Sequence, residues 1–240
     1  MQLPITNREP HETIAYRHGR AVSIGEFIEQ AKHIAAKLPA HRYVFNMSAN
    51  RYHYLLGFCA SVIAGQCTLM PPNRLEKTLE QLASDYPDSY FLDDIEPSVF
   101  ENYRESTASR YDDETPLEIP RIPANQLCAV AFTSGSTGVP SPNLKYWDTL
   151  WTSTGGNAEL MLHKPHRQLN IVATVPPQHM WGMETSILFT LLAKTAISDR
   201  SAFYPQDIAD ALASLPGSRA LVSSPSHLKV LLESKIPLVD

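Results

Sequence analysis

A chain of 240 residues is long enough to bury a substantial core, as one large α/β domain or as two smaller lobes. Apolar residues make up 43% and charged residues 19%, which fits a packed globular protein and excludes a disordered one. A formal charge of −5 provides no general field for nucleic acid or an anionic membrane. With no signal peptide and no apolar run of membrane-spanning length, the expected location is cytoplasmic.

In chain order, Ser23-Ile24-Gly25-Glu26 reads as a capping box, and Phe27, Ala31, Ile34, Ala35 and Leu38 then recur on one helical face before Pro39 ends the run. Tyr43-Val44-Phe45 is a short strand. Asn50 caps a second helix with little polar surface, closed by Gly65. Cys67-Thr68-Leu69-Met70 is the next strand, Leu75, Leu79 and Leu82 mark a third helix, and Tyr90-Phe91-Leu92 is another strand. This βαβαβ order implies a parallel sheet with right-handed crossovers. The cysteines, Cys59, Cys67 and Cys128, sit among apolar neighbours without metal-type spacing and read as reduced core thiols.

Between Glu96 and Asn125, acidic residues and prolines interrupt the pattern, so 96–125 reads as a solvated connection between a first α/β subdomain, 1–95, and a second, 126–240. The second opens with Leu127-Cys128-Ala129-Val130-Ala131-Phe132, a fully apolar strand. A helix follows near Trp147 to Met161, then a strand at Ile171-Val172-Ala173-Thr174 and a loop at 176–181. An apolar helix runs through Ser186-Ile187-Leu188-Phe189 to Leu192. Strand 195–197, helix 207–215, strand 220–222 and helix 226–233 complete the alternation. Because Ile236-Pro237-Leu238-Val239-Asp240 resembles the start of a further element, the polypeptide is expected to be part of something longer.

The apolar strand feeds straight into Thr133-Ser134-Gly135-Ser136-Thr137-Gly138-Val139-Pro140. Phosphate oxygens need many donors converging on a small volume, and here two glycines let the backbone approach while four hydroxyls add to the N–H groups. Flexible connectors share this composition. The seven-position string Thr-Ser-Gly-Ser-Thr-Gly-x-Pro, however, matches by chance only on the order of once in 10⁸ starting points. The spacing excludes a GxxxxGK[ST] loop and a GxSxG nucleophile elbow. His163 and His166 lack a completing cysteine or carboxylate and read as a polar surface loop rather than a metal site.

This string resembles the phosphate-binding signature of the adenylate-forming superfamily, which includes acyl-CoA synthetases, luciferases and the adenylation domains of peptide synthetases. Three further segments resemble that family in the family's order: Gly65-Gln66-Cys67-Thr68-Leu69-Met70-Pro71-Pro72-Asn73, Val175-Pro176-Pro177-Gln178-His179-Met180-Trp181-Gly182 and Ser224-Pro225-Ser226-His227-Leu228. The resemblance implies an α/β fold, with parallel-sheet layers flanked by helices, like the N-terminal domain of adenylate-forming enzymes and truncated. It implies ATP with Mg2+ as cofactors, and acyl or aryl adenylate formation from a carboxylic acid. The acyl group would pass to the thiol of CoA or of an acyl carrier protein, and neither nucleic acid nor a membrane span is involved.

By the same resemblance Thr133, Ser134, Gly135, Ser136, Thr137 and Gly138 hold the phosphates of ATP, and His179, Trp181 and Gly182 form the acid-binding segment, with Gly182 leaving room. Where the family places Lys-Gly, this chain has Ser141-Pro142, so Lys145 is the substitute cation for the phosphates or a solvated lysine. The family's Tyr-Gly-x-Thr-Glu segment, ribose-binding Asp and catalytic Lys have no counterpart before Asp240, so catalytic residues and Mg2+ ligands are expected beyond it. The chain alone is then expected to bind nucleotide weakly without turnover. A naturally short, non-catalytic nucleotide- or acyl-binding module derived from the family is the alternative.

Overall fold

The computed structural model describes residues 1–93, 117–133, 141–162 and 168–238. In chain order its elements are β1 (Gln2–Pro4), β2 (Thr13–Arg17), β3 (Arg20–Ser23), α1 (Ile24–Ala35), β4 (Tyr43–Asn46), α2 (Arg51–Ile63), β5 (Cys67–Met70), α3 (Glu76–Asp85) and β6 (Ser89–Leu92). They continue with β7 (Arg121–Pro123), β8 (Leu127–Thr133), β9 (Ser141–Tyr146), α4 (Trp147–Met161) and β10 (Leu169–Ala173). The helical run α5 comprises Met180–Gly182, a π-helical stretch Met183–Leu188, and Phe189–Leu192. Then follow β11 (Thr195–Ser198), α6 (Pro205–Ala213), β12 (Ser218–Val222) and α7 (Pro225–Ser234).

The helix starts are set by side chains the sequence supplies. The Ser23 hydroxyl accepts from the Glu26 N–H at 3.1 Å, and the Asn50 carboxamide oxygen accepts from the Tyr52 N–H at 2.9 Å. Both satisfy donors that a helix end would otherwise leave orphaned. At α7, the Ser224 hydroxyl accepts from the His227 N–H at 3.3 Å with Pro225 in the first turn.

The chain divides into two compact units that interleave in sequence. One comprises Met1–Ile5, Ile28–Ala49 and His53–Thr152, and the other Thr6–Phe27, Asn50–Tyr52 and Ser153–Asp240. The first unit holds a sheet of order β6-β4-β5-β8-β9, in which β4, β5, β6 and β8 are parallel and β9 pairs antiparallel with β8. Its core gathers Phe45, Met47, Cys67, Leu69, Leu82, Val130 and Phe132. A two-stranded pair, β1 with β7, completes this unit's described strands.

The second unit holds a sheet of order β12-β10-β11-β2-β3, with β2, β10, β11 and β12 parallel and β3 antiparallel to β2. Val172, Ile208, Ala211, Leu212, Leu215 and Leu231 form one of its cores. The parallel α/β layers expected from the alternation are present in both units.

The units do not succeed one another as 1–95 and 126–240. Strand β8 pairs with β5 through Thr68↔Ala129, Leu69↔Val130 and Met70↔Ala131, because a strand apolar along its length needs an interior place in a sheet. Of the connection 96–125, residues 96–116 lie outside the described residues, and β7 is a strand within the remainder. The three cysteines are buried and free.

Candidate functional site

Thr133 is the last residue of β8 and is exposed. It stands opposite Ser141, the first residue of β9, so 134–140 joins two adjacent antiparallel strands. Ser134, Gly135, Ser136, Thr137 and Gly138 lie outside the described residues, as do His163 and His166. The loop leaves the carboxyl end of a parallel strand, where α/β sheets present ligands. Its far end returns as a strand, so the loop does not itself run into a helix N-terminus. A bound phosphate would therefore rely on loop N–H groups and hydroxyls.

Strand β9 is exposed along most of its length and was not evident from the sequence. On it, half-buried Lys145 pairs with Ala129, four rungs from the Thr133–Ser141 pair. By strand rise this is roughly 13 Å along the sheet. Even-numbered spacing puts Lys145 on the same sheet face as Ser141, but a phosphate contact from it requires the loop to fold back along the hairpin.

His179, Trp181 and Gly182 come together in one turn of the second unit, between the end of β10 and α5. The His179 N–H donates to the Pro176 carbonyl at 3.1 Å, and the His179 carbonyl accepts from the Met183 N–H at 2.8 Å. Its Nδ1 accepts from the Trp181 N–H at 3.2 Å, capping α5. An accepting Nδ1 puts the neutral ring's proton on Nε2, as a donor directed away from the cap. His179 is exposed, and Trp181 is 43% exposed.

Gly182 is buried for a local reason. A Cβ there would lie 2.2 Å from the Pro176 carbonyl oxygen and 2.9 Å from its carbon. The room that glycine leaves is filled by the chain's own backbone, so the residue closes the base of the turn. Down α5 the Ser186 hydroxyl donates to the Gly182 carbonyl at 2.5 Å and the Thr185 hydroxyl to that of Trp181 at 2.6 Å. Asn157 Nδ2 of α4 donates to the Glu184 carboxylate.

Sequence reasoning missed Arg51, the first residue of α2. Its Nη1 donates to the Ser186 hydroxyl at 2.6 Å, and its Nη2 to the carbonyls of Ala173 at 3.1 Å and Val175 at 2.6 Å. Burial pushes its pKa down to about 10, so the guanidinium is charged at neutral pH. The position after a capping Asn resembles any solvated first-turn arginine, and only the fold reveals its burial. Among the described residues no group of three His, Cys, Asp or Glu could hold a metal ion, and no helix is long and apolar enough to cross a membrane.

No protein-family model and no curated protein matches the chain. Solved structures do. An ATP-bound RpMatB-BxBclM chimera superposes with a TM-score of 0.74 at 19% identity, over 95% of this chain and 49% of that one. O-succinylbenzoate coenzyme A synthetase (MenE) from Bacillus subtilis, in complex with AMP, gives 0.73 at 14% identity, over 99% of this chain and 66% of that one. Apo MatB from Rhodopseudomonas palustris gives 0.75 at 18% identity, over 96% and 50%. The chain thus spans about half to two thirds of the length of these structures, and over that span it has the fold of the N-terminal part of adenylate-forming CoA ligases.

Proposed function

We propose that the chain is the N-terminal portion of an ATP-dependent carboxylic acid:AMP ligase, which forms an acyl or aryl adenylate and passes the acyl group to a thiol of CoA or a carrier protein. The observation that carries this reading is the location of the Thr-Ser-Gly-Ser-Thr-Gly string. It occupies a seven-residue connection, 134–140 with Thr133 at its base, between two strands already paired at Thr133↔Ser141. A hairpin needs only two residues for such a connection. The additional length and its composition suit phosphate oxygens.

Under this reading the loop holds the β- and γ-phosphates while a carboxylate oxygen attacks the α-phosphorus and pyrophosphate leaves. The task is one of alignment and charge neutralisation more than of proton transfer. Mg2+ would enter with the triphosphate. His179 would present Nε2–H to the acid, with Trp181 beside it as an exposed ring, while Gly182 serves by shaping the turn. Lys145 stands outside this core assignment because of its distance along β9. Support for acid, adenylate and thiol comes from neighbours solved with ATP, with the acyl-adenylate OSB-AMP, and with the product analogue OSB-NCoA.

Equilibrium dialysis of this chain against Mg·ATP, repeated with Gly135→Val, tests the loop. Weak saturable binding, abolished by the substitution, is expected, together with no ATP–pyrophosphate exchange for a panel of carboxylic acids. Absence of binding, or binding indifferent to Gly135→Val, overturns the loop assignment. Exchange by these 240 residues overturns their expected inactivity.

A further inference from the structure

We propose that Arg51 is a positioning residue for the turn 176–181, holding the frame in which His179 and Trp181 stand. The inference rests on the proposed reading of that turn as the acid-facing segment.

The turn is fixed at both of its ends. On the entry side, Arg51 donates to the carbonyls of Ala173 and Val175, the last residue of β10 and the second residue after it. On the exit side it donates to the Ser186 hydroxyl, which itself donates to the Gly182 carbonyl. One planar guanidinium therefore grips position 175 directly and position 182 through one hydroxyl. Between these grips the Gly182 backbone lies against the Pro176 carbonyl so closely that a Cβ does not fit. What is left to project is 177–181, which carries His179 and Trp181.

A second buried arginine in the same unit provides the contrast. Arg8 donates to the carbonyls of Thr190, Thr195 and Thr13, and it also pairs with the Glu12 carboxylate at 3.1 Å. Its charge is balanced, and its contacts bind the end of α5 to the start of β11. Arg51 is only 9% exposed, and among the described residues its side-chain partners are two carbonyls and a hydroxyl, with no carboxylate among them. Burying a guanidinium without a counter-charge is costly, and burial alone lowers its pKa. A forked donor with fixed angles is what three acceptors on two segments require, and lysine cannot supply that geometry.

The test labels the protein with 5-fluorotryptophan and follows three fluorine resonances, with Trp181 assigned through Trp181→Phe. Arg51→Lys retains the charge and loses the fork, while Ser186→Ala retains both carbonyl contacts and removes the link to Gly182. Each variant is first shown to melt cooperatively. The expected result is a shift or broadening of the Trp181 resonance in Arg51→Lys, a smaller change in Ser186→Ala, and unchanged Trp147 and Trp151 resonances in both. Where Arg51→Lys does not fold, Ser186→Ala carries the reading.

The proposal is overturned by a folded Arg51→Lys with an unmoved Trp181, by all three resonances moving together, or by failure of both variants to fold. None of these readings needs ATP or an acid. A separate titration of the unsubstituted protein with carboxylic acids and Mg·ATP bears on the functional reading alone. If no acid moves Trp181, that reading fails while the response to Arg51→Lys still decides the role of Arg51.

Discussion

Both sheets follow one plan, four parallel strands with an antiparallel strand at one edge, and in both the edge strand is reached through a hairpin. In the second unit, β2 and β3 are joined by His18-Gly19, with φ of 48° and 80°, directly inside the Arg17↔Arg20 pair. Two left-handed residues make the tight turn that the twist of paired strands favours. In the first unit the same task, joining β8 to β9, uses seven residues rich in Ser, Thr and Gly. The first turn is as short as the backbone allows and its residues are chosen by the fold. The second is longer than the connection requires, and under the proposed reading its residues answer to a bound phosphate. The turn 176–181 combines the two cases, with a base dictated by packing and exposed residues that packing does not dictate.

Substitutions sharpen this contrast when arranged by their expected cost to stability. Gly182→Ala has the largest effect, about 3 kcal/mol, because the added carbon meets the Pro176 backbone and not a mobile side chain; urea denaturation measures it. Arg51→Met follows at about 2 kcal/mol, since it leaves the buried Ala173 and Val175 carbonyls without their donor. Gly19→Ala costs about 1 kcal/mol through its left-handed φ alone, because the space around it is open. Gly135→Ala is expected to change stability by less than about 0.5 kcal/mol while weakening Mg·ATP binding. A stability loss at Gly135 equal to that at Gly19 would break the contrast. Lys145→Ala is the smallest in both respects, and strong loss of ATP binding there would show that the loop folds back along β9.

Much of the fold was legible because its signals are local. Ser23 and Asn50 cap as their positions suggest, and the apolar runs at β5, β8 and β10 are interior strands. The antiparallel strands were not legible. Strand β9 reads Ser-Pro-Asn-Leu-Lys-Tyr, with no run of buried apolar residues, because an exposed edge strand has little to bury. The hairpin at β2 and β3 rests on a single His-Gly pair, a weaker local signal than the helix start at Ser23. Nor could the interleaving of the units be seen, since the partner of β8 is set by long-range pairing with β5. In the candidate site, the string at Thr133 and the segment at His179 were visible as motifs. The structural work of Gly182 and the burial of Arg51 depend on contacts distant in sequence, Arg51 to Val175 above all.

Hydrogen exchange read by mass spectrometry, with and without Mg·ATP, tests the central claim most directly because one experiment samples both hairpins. The account predicts nucleotide-dependent protection in the peptide spanning 133–141 and none in the peptide spanning 13–23. Unchanged exchange at 133–141 while other segments become protected would contradict it.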